Sequence, residues 1–152
     1  MHYVKKTAEG ICIKDESGTR TLKKGFVQYI NERLIEQLST FDGRMRAVKT
    51  LTQRMRHVPI VIDEGCCLYL TESLRSPHAI GINIHAVLSI RRDMHGCAEV
   101  WFKDLTVLKT ACDYEALTQK HARTAVFLRT LARAMQESVF TKTARMDFIG
   151  DV

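Results

Sequence analysis

The sequence predicts an α+β fold: a mainly antiparallel sheet, a basic helix before its central hairpin, and a long C-terminal helix packed on it. Three observations carry this. Short β-branched and aromatic runs recur near positions 60, 68, 82, 100 and 106, with turn residues between several of them. Apolar residues fall at helical spacing from Met45 to Met55 and again from Leu117 to Met135. Strands joined by short connections pair antiparallel, and the helices then cover the sheet. At 152 residues, with 45% hydrophobic and 26% charged content, the chain reads as one domain able to bury a sizeable core. Residues 1–22 form an N-terminal hairpin and 137–152 a tail.

Val4 and Ile11-Cys12-Ile13 precede the turn-rich Asp15-Glu16-Ser17-Gly18-Thr19, and the chain returns through Thr21-Leu22 as the N-terminal hairpin. Gly25 to Leu38 fits two readings. The favoured one is a strand over Phe26–Ile30, then a short helix capped by Asn31 and presenting Leu34, Ile35 and Leu38. A single helix using Val27, Ile30, Leu34 and Leu38 stays open. Asp42-Gly43 is read as the turn that starts the basic helix, with Met45, Val48, Leu51, Thr52 and Met55 on one side as far as His57. Pro59 disfavours helix at Val58 and leads into the strand Ile60-Val61-Ile62.

Asp63-Glu64-Gly65 is an acidic turn and Cys66 to Leu70 the returning strand. After a loop from Thr71 to His78, Ile80 to Val87 alternates as one strand, with Ile80, Ile82, Ile84 and Ala86 on one face and Gly81, Asn83 and His85 on the other. A charged turn over Arg91–Gly96 precedes the strand Ala98–Phe102, and Asp104–Lys109 contains a further short one. Asp113 caps the last helix, and Glu115 in its first turn suits the helix dipole. The helix is expected to run to about Gln136, with Leu117, His121, Thr124, Leu128, Leu131 and Met135 on its core face.

The net charge of +6 and pI near 9.2 favour an anionic partner. From Asp42 to Asp63 no acidic residue intervenes, while Arg44, Arg46, Lys49, Arg54 and Arg56 do, with His57 beside them. Arg46, Lys49, Gln53 and Arg56 make a stripe about a right angle from the apolar one. Between Glu115 and Glu137 the only charges are Lys120, Arg123, Arg129 and Arg133, with Arg129, Arg133 and Gln136 on helical spacing. A solvated helix face accounts for such charge as readily as a phosphate-binding one. Arginine forks bind phosphate bidentately and are drawn to narrow A·T-rich minor grooves. Trp101 and the four tyrosines are too scattered for a stacking platform, which favours duplex DNA over RNA.

Other functions lack their signals. No apolar run is long enough to span a bilayer, and MHYVKKTAEG has no apolar segment after its lysines, so neither membrane insertion nor secretion is expected. The five cysteines form no CxxC pair, which fits reduced, mostly buried thiols in the cytoplasm. The six histidines show no HExxH, and no GxSxG, GxxxxGK or GxGxxG occurs. Cys97 near His95 lacks an orienting carboxylate. No enzyme activity, cofactor or metal is expected. A pocket gathering His85, Cys97 or His121 would reverse that.

Ser39-Thr40-Phe41-Asp42-Gly43-Arg44, then Val58-Pro59-Ile60-Val61-Ile62-Asp63, Leu68-Tyr69-Leu70 and Ser76-Pro77 stand in an order and spacing that resembles ComK, the competence transcription factor family of low-GC Gram-positive bacteria. Gln119, Arg123-Thr124-Ala125 and Leu128-Arg129-Thr130 are similar to its C-terminal helix, so the resemblance spans Ser39 to Thr130. The chain departs from the family pattern at Leu70-Thr71-Glu72, at Gly81 where a tryptophan is usual, and at His85, one place from the usual histidine. Met146-Asp147-Phe148-Ile149 is faintly similar to the segment used by a Clp-protease adaptor.

The resemblance implies a bacterial, nucleoid-associated activator that binds paired A·T-rich boxes through the minor groove as a dimer or dimer of dimers. It also implies DNA bending and assistance to RNA polymerase at promoters of DNA-uptake genes. Its DNA contacts are expected at Arg44, Arg46, Lys49, Arg54, Arg56, Arg129 and Arg133. The alternative is a shortened, non-activating relative that titrates a protein partner or the adaptor.

Overall fold

The structure is a computed structural model that describes the backbone over residues 1–150 and the side chains through Glu137. The N-terminal segment is a meander of three strands, one more than the expected hairpin. β1 (Tyr3–Thr7), β2 (Gly10–Asp15) and β3 (Gly18–Leu22) pair antiparallel in succession. β1 has one buried apolar residue, Val4, so its sequence carries little alternation. Pairing holds it in place, with β2 on one side and Tyr3↔Ile82 and Val4↔Gly81 on the other.

The favoured strand-then-helix reading of Gly25–Leu38 is wrong. Phe26–Ile35 is a single helix, α1, burying Phe26, Tyr29, Ile30 and Leu34. Val27 is exposed and Leu38 is 98% exposed, so the true stripe is rotated from the one the single-helix alternative used. Local β-propensity yields here to burial of four residues along one face. Asn31 does not cap α1; its Oδ1 accepts from Phe41 N at 2.8 Å, the first amide of the next helix, and ties the two together.

That helix, α2 (Phe41–Thr52), is capped by Thr40, whose Oγ1 accepts from Gly43 N at 3.1 Å. Gly43 therefore lies inside the first turn and does not form a turn ahead of it. A Cβ at Gly43 would stand 2.9 Å from the capping oxygen, so glycine keeps the cap open. The helix stops at Thr52, not at His57. Gln53 closes it at φ 57°, and the chain runs irregularly from Arg54 to Pro59. This exit lets Val58 and Val61 pack on Val48, Phe127 and Leu131, which a continued helix would carry past them.

β4 (Ile60–Asp63) and β5 (Cys66–Leu70) form the expected hairpin. The run from Ile80 is not one strand. β6 (Ile80–Asn83) ends in a 3-10 turn over Ile84–Ala86, and β7 (Val87–Arg92) then departs in another direction. The buried Asn83 amide is the reason: its oxygen accepts from Cys67 N at 3.1 Å and His85 N at 3.2 Å, while its nitrogen donates to Met1 O and Gly65 O. The sheet is accordingly split in two. One is six-stranded, β3-β2-β1-β6-β5-β4, and the other is three-stranded, β7 with β8 (Cys97–Phe102) and β9 (Val107–Asp113).

The six-stranded sheet is covered on one face by α1, around Val4, Ile13, Ile30, Ile62 and Leu68. Its other face shares a core with the small sheet, where Tyr69 and Ile82 meet Val100, Phe102 and Leu117. His2, stacked on Phe102, bonds Asp104 at 2.7 Å and links the two sheets at their edge. The last helix, α3 (Tyr114–Gly150), is capped by Asp113 as expected. Its backbone continues past Gln136, since no glycine or proline interrupts residues 114–149. Leu117, Thr124, Phe127 and Leu131 are buried, whereas Met135 is 52% exposed, so Phe127 replaces Met135 in the expected core face. The side chains of the tail beyond Glu137, including Met146 to Ile149, lie outside the described residues.

The space beside Gly81 is filled by side chains of α1 and β5. A Cβ there would lie 2.9 Å from Phe26 Cζ and 3.3 Å from Leu68 Cδ1. Gly81→Ala should cost about 1–3 kcal/mol in urea unfolding, as overpacked cores do. Phe26→Leu in that background should recover most of the loss.

Candidate functional site

The position of the basic segments follows from one apolar contact. Val48 of α2 packs with Phe127 and Leu131 of α3 in a small separate core. Arg44 then fastens α2 to the sheet: its Nη1 donates to Val61 O at 3.3 Å and Ile62 O at 3.1 Å. Its Nη2 reaches Gln37 Oε1 and its Nε reaches Ser39 Oγ. Half-buried and bonded on all three nitrogens, this guanidinium is a structural pin.

The other expected contacts divide into groups. Arg46 is exposed, two residues before the buried Val48 and so turned roughly 200° from it at 3.6 residues per turn. Lys49 is half-buried on α2, and Arg56 is exposed in the loop after it. Arg54 is half-buried, with its guanidinium carbon 5.8 Å from the Phe127 ring centroid. Arg129 and Arg133 are exposed, each two residues beyond a residue of the α2–α3 contact, and so project away from it. That contact therefore does not join the α2 stripe to the α3 stripe. Among the described residues, the carboxylate pairs involve His2, Lys14, Lys24, Arg33 and Arg92, and none of the seven expected cations.

A different set of cations is brought together. Arg54 and His57 from the loop, with Lys120 and Arg123 from α3, line a cleft of about 490 Å³. Its apolar walls include Val58, Pro59, Leu70 and Leu74. Lys120 Nζ is held by Thr71 O at 2.5 Å, and Arg123 Nη2 lies 3.5 Å from Gln119 Oε1. Glu72 also lines the cleft, and its carboxylate accepts from Ser76 Oγ. Lys120 and Arg123 line this cleft, whereas the expected α3 contacts Arg129 and Arg133 do not. The one local signal of Lys120 and Arg123 was the i, i+3 spacing on the flank of Leu117 and Thr124.

Beneath the cleft, Tyr69 is buried, and its hydroxyl meets His121 Nδ1 at 3.0 Å. Burial pushes the Tyr69 phenol upward and the His121 imidazole downward. Burial also raises Cys66 to about 11 and Cys67 to about 12, so these thiols stay protonated and unreactive. Cys12, Cys97 and Cys112 are half-buried, and all five cysteines are free. His95 and Cys97 share Asp93 only through backbone N–H bonds to its carboxylate. His85 sits in the 3-10 turn and lines a groove beside the α2–α3 contact together with Arg44, Asp63 and Glu64, whereas His121 is held by Tyr69 and Cys97 lines neither that groove nor the cleft. Among the described residues no group of three His, Cys, Asp or Glu could hold a metal, and no helix is long and apolar enough to cross a membrane.

A sequence-family model described as ComK protein matches residues 3–136. The chain belongs to the ComK family. Membership places it among competence-type transcription factors, a family that is not enzymatic. The ComK match begins in β1, so it takes in the N-terminal meander, which the sequence resemblance from Ser39 onward had left out. No curated protein and no solved structure matches the chain.

Two measurements check the local physics. The His121 pKa lies below its ordinary 6.5, so its share of stability is full above 6.5 and is lost as pH falls through the folded-state value. Unfolding free energy should therefore decline below about 6.5, with a shallower slope in His121→Gln. Gln53→Gly, which suits the left-handed position better, should raise stability by about 0.5–1 kcal/mol in the same assay.

Proposed function

We propose that this ComK-family protein binds A·T-rich duplex DNA from the minor-groove side, as a dimer or dimer of dimers, and activates promoters of DNA-uptake genes with RNA polymerase. The observation that supports this best is the uncompensated charge on an exposed surface. Arg46, Lys49 and Arg56 follow one another along α2 and its exit loop with no carboxylate partner among the described residues. In this reading they contact phosphates and the groove, while Arg129 and Arg133 make a second contact from α3. Arg44 holds α2 at its angle to the sheet, and Arg54 sets the loop against Phe127. Arginine in a narrow A·T-rich groove reads shape as well as base edges. A cytoplasmic, nucleoid-bound location and delivery to a Clp protease by an adaptor belong to the same reading.

A second reading, a non-activating relative that titrates a protein partner, is favoured by one feature. Ala47, Leu51, Leu128, Ala132 and Met135 form the apolar part of a groove of about 650 Å³ beside the α2–α3 contact, which Arg44, Asp63, Glu64 and His85 also line. Mixed oligomers with a second ComK-family protein, formed without DNA affinity, would select it.

Mobility-shift assays on A·T-rich and G·C-rich duplexes across a salt series separate the two. Wild-type affinity for the A·T duplex should fall steeply with salt. Arg46→Ala and Arg56→Ala should each lower the slope of log K against log salt by about 0.9, the release of one counterion. Absent or salt-insensitive duplex binding would remove the DNA reading.

A further inference from the structure

The cleft between the α2 exit loop and α3 has features that an open duplex-binding surface does not require. Its cations come from two distant parts of the chain: Arg54 and His57 on the loop, Lys120 and Arg123 on α3. Two of these cations are held in place. The Lys120 ammonium is anchored by one donor on Thr71 O, which leaves its remaining protons for a ligand. Arg54 is braced over Phe127. The loop itself is bounded by two non-glycine residues in the left-handed region, Gln53 at φ 57° and His57 at φ 53°. Such conformations persist only where the surroundings hold them, and they cluster at ligand clamps.

Most of the remaining lining is apolar, with Glu72, Ser73 and Thr124 as its polar members and the Glu72 carboxylate engaged by Ser76 Oγ. Val58, Pro59, Leu70 and Leu74 face the same space as the cations, with Tyr69 at its floor. The cleft volume of about 490 Å³ falls within the range of small-molecule pockets. A duplex backbone offers phosphates but no ring to fill an apolar wall, because its bases are stacked inside. A small molecule joining an anionic phosphate to a planar ring would match both halves of the cleft.

We propose that this cleft is a binding site for a phosphorylated small molecule with a planar ring, of the nucleoside monophosphate class. Its phosphate bonds to Lys120 and Arg123 on α3 and to Arg54 across the cleft, and its ring lies against Pro59, Leu70 and Leu74. The site stands independently of DNA binding, since Lys120 and Arg123 are not among the proposed duplex contacts.

Isothermal titration of the full chain, free of DNA, tests this with adenosine and guanosine monophosphates, the two nucleosides and inorganic phosphate. A monophosphate should bind saturably. Nucleosides and phosphate alone should bind at least about tenfold more weakly, since each lacks one half of the contact. Arg123→Ala, at an exposed position that leaves folding intact by circular dichroism, should weaken monophosphate binding by about tenfold, the loss of a charge-assisted hydrogen bond. Lys120→Ala should add to it. No binding at millimolar monophosphate, inorganic phosphate binding as tightly as the nucleotide, or an unaffected Arg123→Ala would each overturn the proposal. Loss of duplex binding in Arg123→Ala without any nucleotide binding would assign the cleft to the DNA backbone instead, which also overturns it. Failure of the A·T duplex to bind wild type, with the nucleotide result intact, would count against the DNA reading alone.

Discussion

The packing of Val48 on Phe127 and Leu131 is the constraint from which the basic surface takes its shape. Fully burying side chains of this size contributes about 1.5–3 kcal/mol each, enough to outweigh the local preferences of the segments that carry them. It sets where α2 lies relative to α3, and Val58 and Val61 join it only if the chain leaves the helix at Thr52. The loop from Arg54 to His57 is therefore a consequence of an apolar contact, although almost every residue in it is charged or polar. Its left-handed ends at Gln53 and His57 are the local cost of that exit.

The arginines of the basic segment do different work because burial differs along it. Arg44 has its guanidinium against the β4 carbonyls, where its hydrogen bonds offset the cost of taking the charge partly out of water. Arg46 and Arg56, in water, hold no such partners and remain free for an anion. A charge count treats these residues alike. The same distinction separates Lys120 and Arg123, which face the cleft, from Arg129 and Arg133, which face outward from the same helix.

Gly81 is matched by bulk from the neighbouring layer. The space above this glycine is occupied by the Phe26 ring, so bulk is supplied from α1 in place of the strand. Asn83, two residues on, converts the end of β6 into a corner by satisfying four backbone groups at once. A buried amide with every hydrogen bond made is tolerated, and it gives the turn a specificity that an apolar residue could not.

Features with local causes could be read from the residues alone. Pro59 and the β-branched run after it marked β4, the acidic glycine turn marked the hairpin with β5, and Asp113 marked the start of α3. The basic character of α2 was equally plain, because charge needs no partner to be counted. The tertiary structure decided whatever depended on distant burial. Phe26 to Ile30 looks like a strand by propensity and is a helix because Phe26, Tyr29, Ile30 and Leu34 together cover a sheet face. The end of α2, the split of the sheet at Asn83 and the entry of Phe127 into the core are of the same kind. In each, free energy gained across the fold exceeds a local preference of a few tenths of a kcal/mol to about 1 kcal/mol per residue.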